Sequence, residues 1–453
     1  MSIIKLNPFN NKILYESSTT SLFDLISIIQ SANKAHIEWK NTSFVIRLAF
    51  LDQIINEYIL KKDQIIKSES YDQGLGFKFT ENSNYNIGLE LLNKFRSELS
   101  LHINSEPQTN SFTQVKKYSS NGVISVVLSW NLSNRIFIEK VIPAWLAGNT
   151  VVVKVSSEAI STAHRWQEIF KAVSIPESTV QFVITNDPEL KKILVTHPGI
   201  KAVAFTGQLN TAAALLKAQS ILLDKQFKKN QVLTGSKNAC LALEEPTEIL
   251  VNQVLETFLF GQGQLVWNST RLFILEKYQN QWIEAIQNHF DLLSVAESPA
   301  DNKAWGPIIK SSDCKNYDYY NQQARRDQAK IITTNFNPEN KNFVKPIFTF
   351  DMSNCSELQQ DQLRLPIFIL SAVKYGFDIP KYANISYYGH SANIFSDKPV
   401  SSKITDQLDV GLISCNKWSI YRSDNIFAVK QSATGIQGHQ IFGEFNSNVK
   451  IIS

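Results

Sequence analysis

Apolar residues recur at helical spacing from Leu22 to Lys40 and again from Phe44 to Leu60, and Leu89 to Leu101 repeats the pattern. The period then changes. Short β-branched or alternating runs at Phe112 to Lys117, Val123 to Leu128, Thr150 to Val155, Val180 to Thr185 and Ala202 to Phe205 predict strands. Helical patterns lie between them at Ile136 to Ala147, Thr162 to Ala172 and Pro188 to Thr196. Strand and helix alternating through short loops predict a parallel sheet covered on both faces, a doubly wound, Rossmann-like half over roughly residues 120–230. The alternation continues with longer elements to about residue 415, which predicts a second α/β unit. The end of the chain reads as loop and then a strand, Asn448 to Ile452.

Composition narrows the class without changing the fold reading. The 453 residues are enough for about three domain-sized units. A chain that is 43% hydrophobic and 19% charged is globular and soluble rather than disordered. The formal charge of +4 is too small and too dispersed for a nucleic-acid binder. No uninterrupted apolar stretch approaches the ~20 residues of a spanning helix. The richest, Val141 to Val155, is broken by Pro143, Gly148, Asn149 and Lys154. The start lacks a basic region followed by a long apolar one. The expectation is a cytoplasmic protein with no membrane and no nucleic-acid partner. Four cysteines in so long a chain exclude a disulfide scaffold and fit a reducing compartment, and no metal-ligand spacing of Cys and His appears. Glycine stands out: 17 residues, against roughly 32 for an average chain of this length.

A series of short motifs runs collinearly along the chain. Ser129-Trp130-Asn131 is followed by Pro143-Ala-Trp-Leu-Ala-Gly-Asn-Thr-Val-Val-Val-Lys154. His197-Pro198 leads into Val203-Ala-Phe-Thr-Gly207, and Gly235-Ser-Lys-Asn238 comes next. Gly263-Gln264 with Arg271, Gly306-Pro-Ile-Ile309, Phe343-Val-Lys-Pro346, Tyr388-Gly389 with Ser391-Ala392, and Gly411-Leu-Ile-Ser-Cys-Asn416 complete the series, and Asn7-Pro8-Phe-Asn opens it. Together these resemble the aldehyde dehydrogenase superfamily over essentially the whole chain. The resemblance implies an α/β architecture with three parts. A Rossmann-type cofactor domain would span 1–102 and 121–231, a catalytic-type domain 232–429, and a β oligomerisation arm 103–120 and 430–453. It also implies a dimer or tetramer, because a strand edge left open at the C-terminus is covered by another chain.

The family's chemistry needs a thiolate to attack the aldehyde carbon and a glutamate to activate water. Anchored on Gly263-Gln264 and Arg271, the nucleophile position is Val266; shifted to Gly261-Gln262, it is Gln264. Neither is a thiol. Trp267 follows, a bulky residue able to fill part of the substrate tunnel or simply to belong to the core. The general-base position is Leu233, which cannot activate water. Asn131 retains the position that would stabilise an oxyanion together with a backbone N–H near Val266. It could equally persist by satisfying loop backbone. Cys240 and Cys415 are the candidates for a relocated nucleophile, with buried small hydrophobe as the ordinary role of such a residue.

The cofactor contacts implied by the resemblance are altered. Lys154 matches the ribose-binding lysine, whereas Ser157 replaces the neighbouring glutamate. That change weakens an NAD ribose contact or makes room for the 2′-phosphate of NADP. In the phosphate turn Gly207 remains, Gln208 replaces a small hydroxyl residue, and Ala212 replaces a glycine. Gln362 stands where the family has a glutamate on the nicotinamide ribose. Ser236, Leu365, Ala428 and Val429 are further positions of missing glycines. NAD or NADP is thus the implied cofactor, held by fewer contacts. Two readings follow. In the first the chain is a non-catalytic binding or scaffold subunit, a pseudoenzyme pairing with itself or with an active paralogue. In the second it is an active NAD(P)-dependent oxidoreductase on an aldehyde or carbonyl substrate using non-standard residues.

Overall fold

A computed structural model describes residues 2–104, 115–221, 226–302, 305–309, 313–353, 356–423 and 427–452. Helices cover Leu22–Trp39 and Phe44–Leu60, where the apolar spacing places them. The first is fixed by a capping box: Ser21 Oγ accepts the Asp24 N–H and the Asp24 carboxylate accepts the Ser21 N–H. The third pattern lies inside a longer helix, Asn86–Asn104. Several elements are not predicted from the apolar pattern, and two cases show why. One is the antiparallel pair Ser2–Leu6 and Ile13–Ser18. The other is the helix Lys62–Gln73, whose buried positions include Ser68, Glu69, Ser70, Asp72 and Gln73. A helix that buries polar residues is invisible to a hydrophobic template.

The first large sheet has the order Ala433–Gly435, Lys229–Leu233, Ile200–Thr206, Val123–Val127, Thr150–Lys154 and Val180–Val183. All pairings are parallel except the first, which is antiparallel. Val123–Val127 and Thr150–Lys154 are buried throughout, as continuous β-branched runs in a doubly wound sheet must be. Strand order reverses between Val123–Val127 and Ile200–Thr206. That reversal is a topological switch point, and a crevice opens at the carboxyl ends of those two strands.

The second sheet has the order Lys330–Thr333, Ile347–Phe350, Ile367–Val373, Ser269–Leu275, Asn238–Ala242, Ser391–Phe395 and Leu412–Cys415, parallel except at its first strand. The chain's last strand, Ser447–Ile452, pairs antiparallel with Val115–Ser120, from Ser447 opposite Ser120 to Ile452 opposite Val115. The first three residues of the predicted Phe112 to Lys117 strand lie outside the described residues. Asn149, in the turn before Thr150–Lys154, joins these parts. Its Oδ1 accepts the N–H groups of Asn121 (2.7 Å) and Gly122 (3.2 Å), and its Nδ2 donates to the carbonyls of Ala144 and Asn446 (both 2.8 Å). Among the described residues no helix is long and apolar enough to cross a membrane.

Candidate functional site

A cleft of about 330 Å³ opens at the switch point. Asn131, Lys154, Gly207, Gln208, Leu233, Val266 and Gln362 all line it, so residues spread over more than two hundred positions converge on one cavity. Ser157 is not on its wall; it begins a short 3-10 turn, Ser157–Ala159.

The loop that carries Val266 is built to hold one shape. Gly261, Gln262 and Gly263 have φ of +71°, +53° and +66°, which turn the chain sharply after Glu248–Leu259. Asn268 then knits the loop: its Nδ2 donates to the carbonyls of Thr257, Phe258 and Phe260, and its Oδ1 accepts the Leu265 N–H at 2.8 Å. Gln264 points into the core, accepting the Ile309 N–H at 2.9 Å. Of the two frames open in the sequence, only Val266 faces the cleft. Its carbonyl accepts from Asn238 Nδ2 at 2.8 Å, and its N–H donates to Asn131 Oδ1 at 3.1 Å.

Trp267 is 2% exposed and closes the space beside Val266. The guanidinium of Arg135 lies 4.7 Å from its ring centroid, His390 meets it edge-on at 5.9 Å, and its carbonyl accepts from Trp418 Nε1 at 2.9 Å. Arg135 is fully buried. It donates to the Glu139 carboxylate at 3.0 Å and to the carbonyls of Ile420 (2.6 Å) and Arg422 (2.7 Å). An ion pair saturated in this way puts fixed charge, not an apolar passage, against the Trp267 ring.

On the opposite side of the cleft the strand ends present Lys154, Thr206 and Gly207. Gly207 is required by its neighbour, since a Cβ there would come within 2.6 Å of the Phe205 ring. Helix Leu209–Ser220 starts at Gln208, whose side chain makes no cap hydrogen bond to the first turn. The Gln208 amide oxygen, with the amide turned to suit, instead takes both terminal guanidinium nitrogens of Arg364. This links the phosphate-turn position to the segment from Gln362 to Pro366. Ala212 buries its methyl against Val127, Phe205 and Val232 and so belongs to the core. Gln362 lies over Gly235, where any Cβ would collide with its Oε1.

A model of the aldehyde dehydrogenase family matches residues 1–452. The chain belongs to the aldehyde dehydrogenase family. A relative from Staphylococcus saprophyticus, itself named an aldehyde dehydrogenase only provisionally, is 23% identical over 420 residues, 91% of this chain and 86% of its own. Among solved structures, a Mycobacterium tuberculosis aldehyde dehydrogenase complexed with NAD+ superposes with a TM-score of 0.91 at 21% identity. It covers all of this chain and 94% of its own. The aldehyde dehydrogenase from Bartonella henselae gives 0.90 at 21% identity, with 96% of its own chain covered. The doubly wound α/β fold expected from the sequence is thus the fold of the family.

This family member also places groups in the cleft that motif reading passed over. Lys140, Glu139, His390 and His439 line it, and all are buried. Burial lowers His390 and His439 to about 4, so both rings are neutral. The signal was present in the sequence: three charged residues, Arg135, Glu139 and Lys140, interrupt a helix, Ser133–Leu146, that is otherwise almost wholly apolar and entirely buried. Neither candidate thiol, Cys240 or Cys415, is on the cleft wall. Cys240 is buried within its strand, off the cleft wall, and burial pushes its thiol up to about 12. Cys415 is exposed, and Cys355 lies outside the described residues.

Proposed function

We propose that this aldehyde dehydrogenase-family chain is a non-catalytic binding or scaffold subunit. The observation that carries the reading is the engagement of Val266. Val266 lines the cleft, the motif resemblance assigns it to the family's thiol position, it offers no nucleophile, and its N–H is held by Asn131 Oδ1 rather than left for an oxyanion. Leu233 on the facing strand end offers no general base, and Trp267, backed by Arg135, occupies the wall beside Val266. Incubation of the purified chain with a panel of aliphatic and aromatic aldehydes and either NAD or NADP, followed at 340 nm, is expected to give no reduced cofactor. Turnover that disappears in Asn131→Ala would overturn the proposal.

The phosphate half of a dinucleotide fits what is present. The uncapped helix start after Gly207, Lys154 and Arg364 offer backbone donors and positive charge on one wall. Lys154, Gly207, Gln208 and Gln362 would hold NAD or NADP, and a bound nicotinamide would supply hydride transfer. That fit favours the second reading, an NAD(P)-dependent oxidoreductase using non-standard residues, to the extent that the cleft remains open. NADPH or NADH quenching tryptophan fluorescence at micromolar levels supports it, and silence up to millimolar cofactor removes it. We assign 1–102 and 121–231 to the cofactor-type unit, 232–429 to the catalytic-type unit, and 103–120 with 430–453 to an arm. Through that arm the chain would form a dimer or tetramer, or pair with an active paralogue, in the cytoplasm.

A further inference from the structure

The cleft contains an amine that the reading above does not use. Lys140 projects from the wholly buried helix Ser133–Leu146 into the cavity that Asn131 and Val266 also line, and it is 6% exposed. Among the described residues its Nζ makes no hydrogen bond and no ion pair. The nearest carboxylate, Glu139, is taken by Arg135 Nε at 3.0 Å. The other titratable groups on that stretch of wall, His390 and His439, are neutral rings.

A buried ammonium without a partner is unfavourable, and the free amine at the same position is much less so. Burial accordingly lowers the Lys140 ammonium to about 8, with Glu139 opposing the shift. The free amine is the form that attacks a carbonyl carbon.

We propose that Lys140 is a carbonyl-capture site, whose Nζ adds reversibly to a small aldehyde or ketone held in the cleft. The nitrogen lone pair forms the N–C bond while the carbonyl π pair moves to oxygen. A proton passes from nitrogen to that oxygen and gives a carbinolamine. The hydroxyl takes up a proton from solvent and leaves as water, which breaks the C–O bond while the nitrogen lone pair forms the C=N bond of a protonated imine, with no oxidant or reductant consumed. Asn131 Oδ1 is occupied by Val266, and its Nδ2, which makes no hydrogen bond among the described residues, is left to donate to the departing oxygen. Covalent capture of this kind needs neither thiol nor general base nor dinucleotide. It is therefore independent of whether the chain oxidises aldehydes.

The full-length protein incubated with propanal and sodium cyanoborohydride at neutral pH, then digested and mapped by mass spectrometry, tests this. The expected result is N-propylation of Lys140 on the order of tenfold or more faster than the surface lysines, because a larger fraction of it is unprotonated. Lys140→Arg should lose that peptide while the surface background stays the same. Lys140→Met, checked by circular dichroism, guards against an effect of misfolding. Modification spread evenly over the lysines of the wild-type protein, with Lys140 no faster than the rest, would overturn the proposal. The 340 nm assay is read separately, so capture without oxidation and oxidation without capture are distinguishable.

Discussion

The side-chain oxygen of Asn131 accepts the backbone N–H of Val266 at 3.1 Å, which joins two positions 135 residues apart across the floor of the cleft. Two donors that could have pointed at one developing oxyanion are thereby reduced to the Asn131 amide nitrogen alone. Restoring the reactive side chains should not be sufficient. The double variant Val266→Cys with Leu233→Glu is expected to form no NAD(P)H from aldehydes at 340 nm, because Trp267, held by Arg135, still occupies the wall beside residue 266 and the N–H of residue 266 is still bonded to Asn131. Turnover by this double variant would overturn that expectation.

Arg135 should be among the costliest residues to replace. Arg135→Met leaves the Glu139 carboxylate and the Ile420 and Arg422 carbonyls without their donor in a dry environment. The expected destabilisation is about 3–5 kcal/mol, read as a shift in the urea unfolding midpoint. A shift within error of zero would mean that water replaces the guanidinium and that the region is not closed.

Acid should weaken the fold through two histidines. His390 and His439 titrate at about 4 when folded, against an unfolded value near 6.5. The unfolded chain therefore binds more protons between those values, and stability falls as pH drops from about 6.5 to 4. Asp72 acts in the opposite sense. Burial raises it to about 7, so it disfavours the fold increasingly as pH rises from the unfolded value near 4 to that point. His390→Gln and His439→Gln should each flatten the acid limb of a thermal-melt pH profile, and Asp72→Asn should steepen it. Parallel profiles for wild type and both histidine variants would contradict the burial argument.

Thiol reagents should discriminate among the cysteines. In the native protein a disulfide reagent at pH 8 is expected to label exposed Cys415 rapidly and to leave Cys240 untouched until denaturant is added. Peptide mapping of the labelled sites decides it. Rapid native labelling of Cys240 would reopen it as a relocated nucleophile.

What could be read before the fold was known followed from two kinds of signal. Uniform apolar runs such as Val123–Val127 and Thr150–Lys154 announce strands buried on both faces, and helix Pro188–Thr196 carries its own Asp187 cap and leading proline. The motif series also singled out Asn131, Lys154, Gly207, Leu233 and Val266, which the fold brings to one cleft. Lys62–Gln73 escaped because it buries Glu69, Asp72 and Gln73 in a polar network with Asn84, Ser161 and Thr162, and periodicity cannot distinguish that from a solvated face. Arg135 and Lys140 escaped for a related reason. A charged residue inside an apolar helix has no motif, and only packing shows that one is saturated and the other bare. Ala212, read from the motif as a lost glycine, packs its methyl with Val127, Phe205 and Val232, a contact that motif reading alone does not show.

Asn149 has a consequence for how the molecule is made. Its amide seals the turn before Thr150–Lys154 only when the carbonyl of Asn446 arrives, and Ala433–Gly435 completes the edge of the first sheet beside Lys229–Leu233. Both partners follow far behind in the chain, Asn446 coming 297 positions after Asn149. The first sheet therefore stays unfinished, with an open strand edge, until residues 433–446 have been made, a long interval in which exposed edges favour chaperone binding over premature closure.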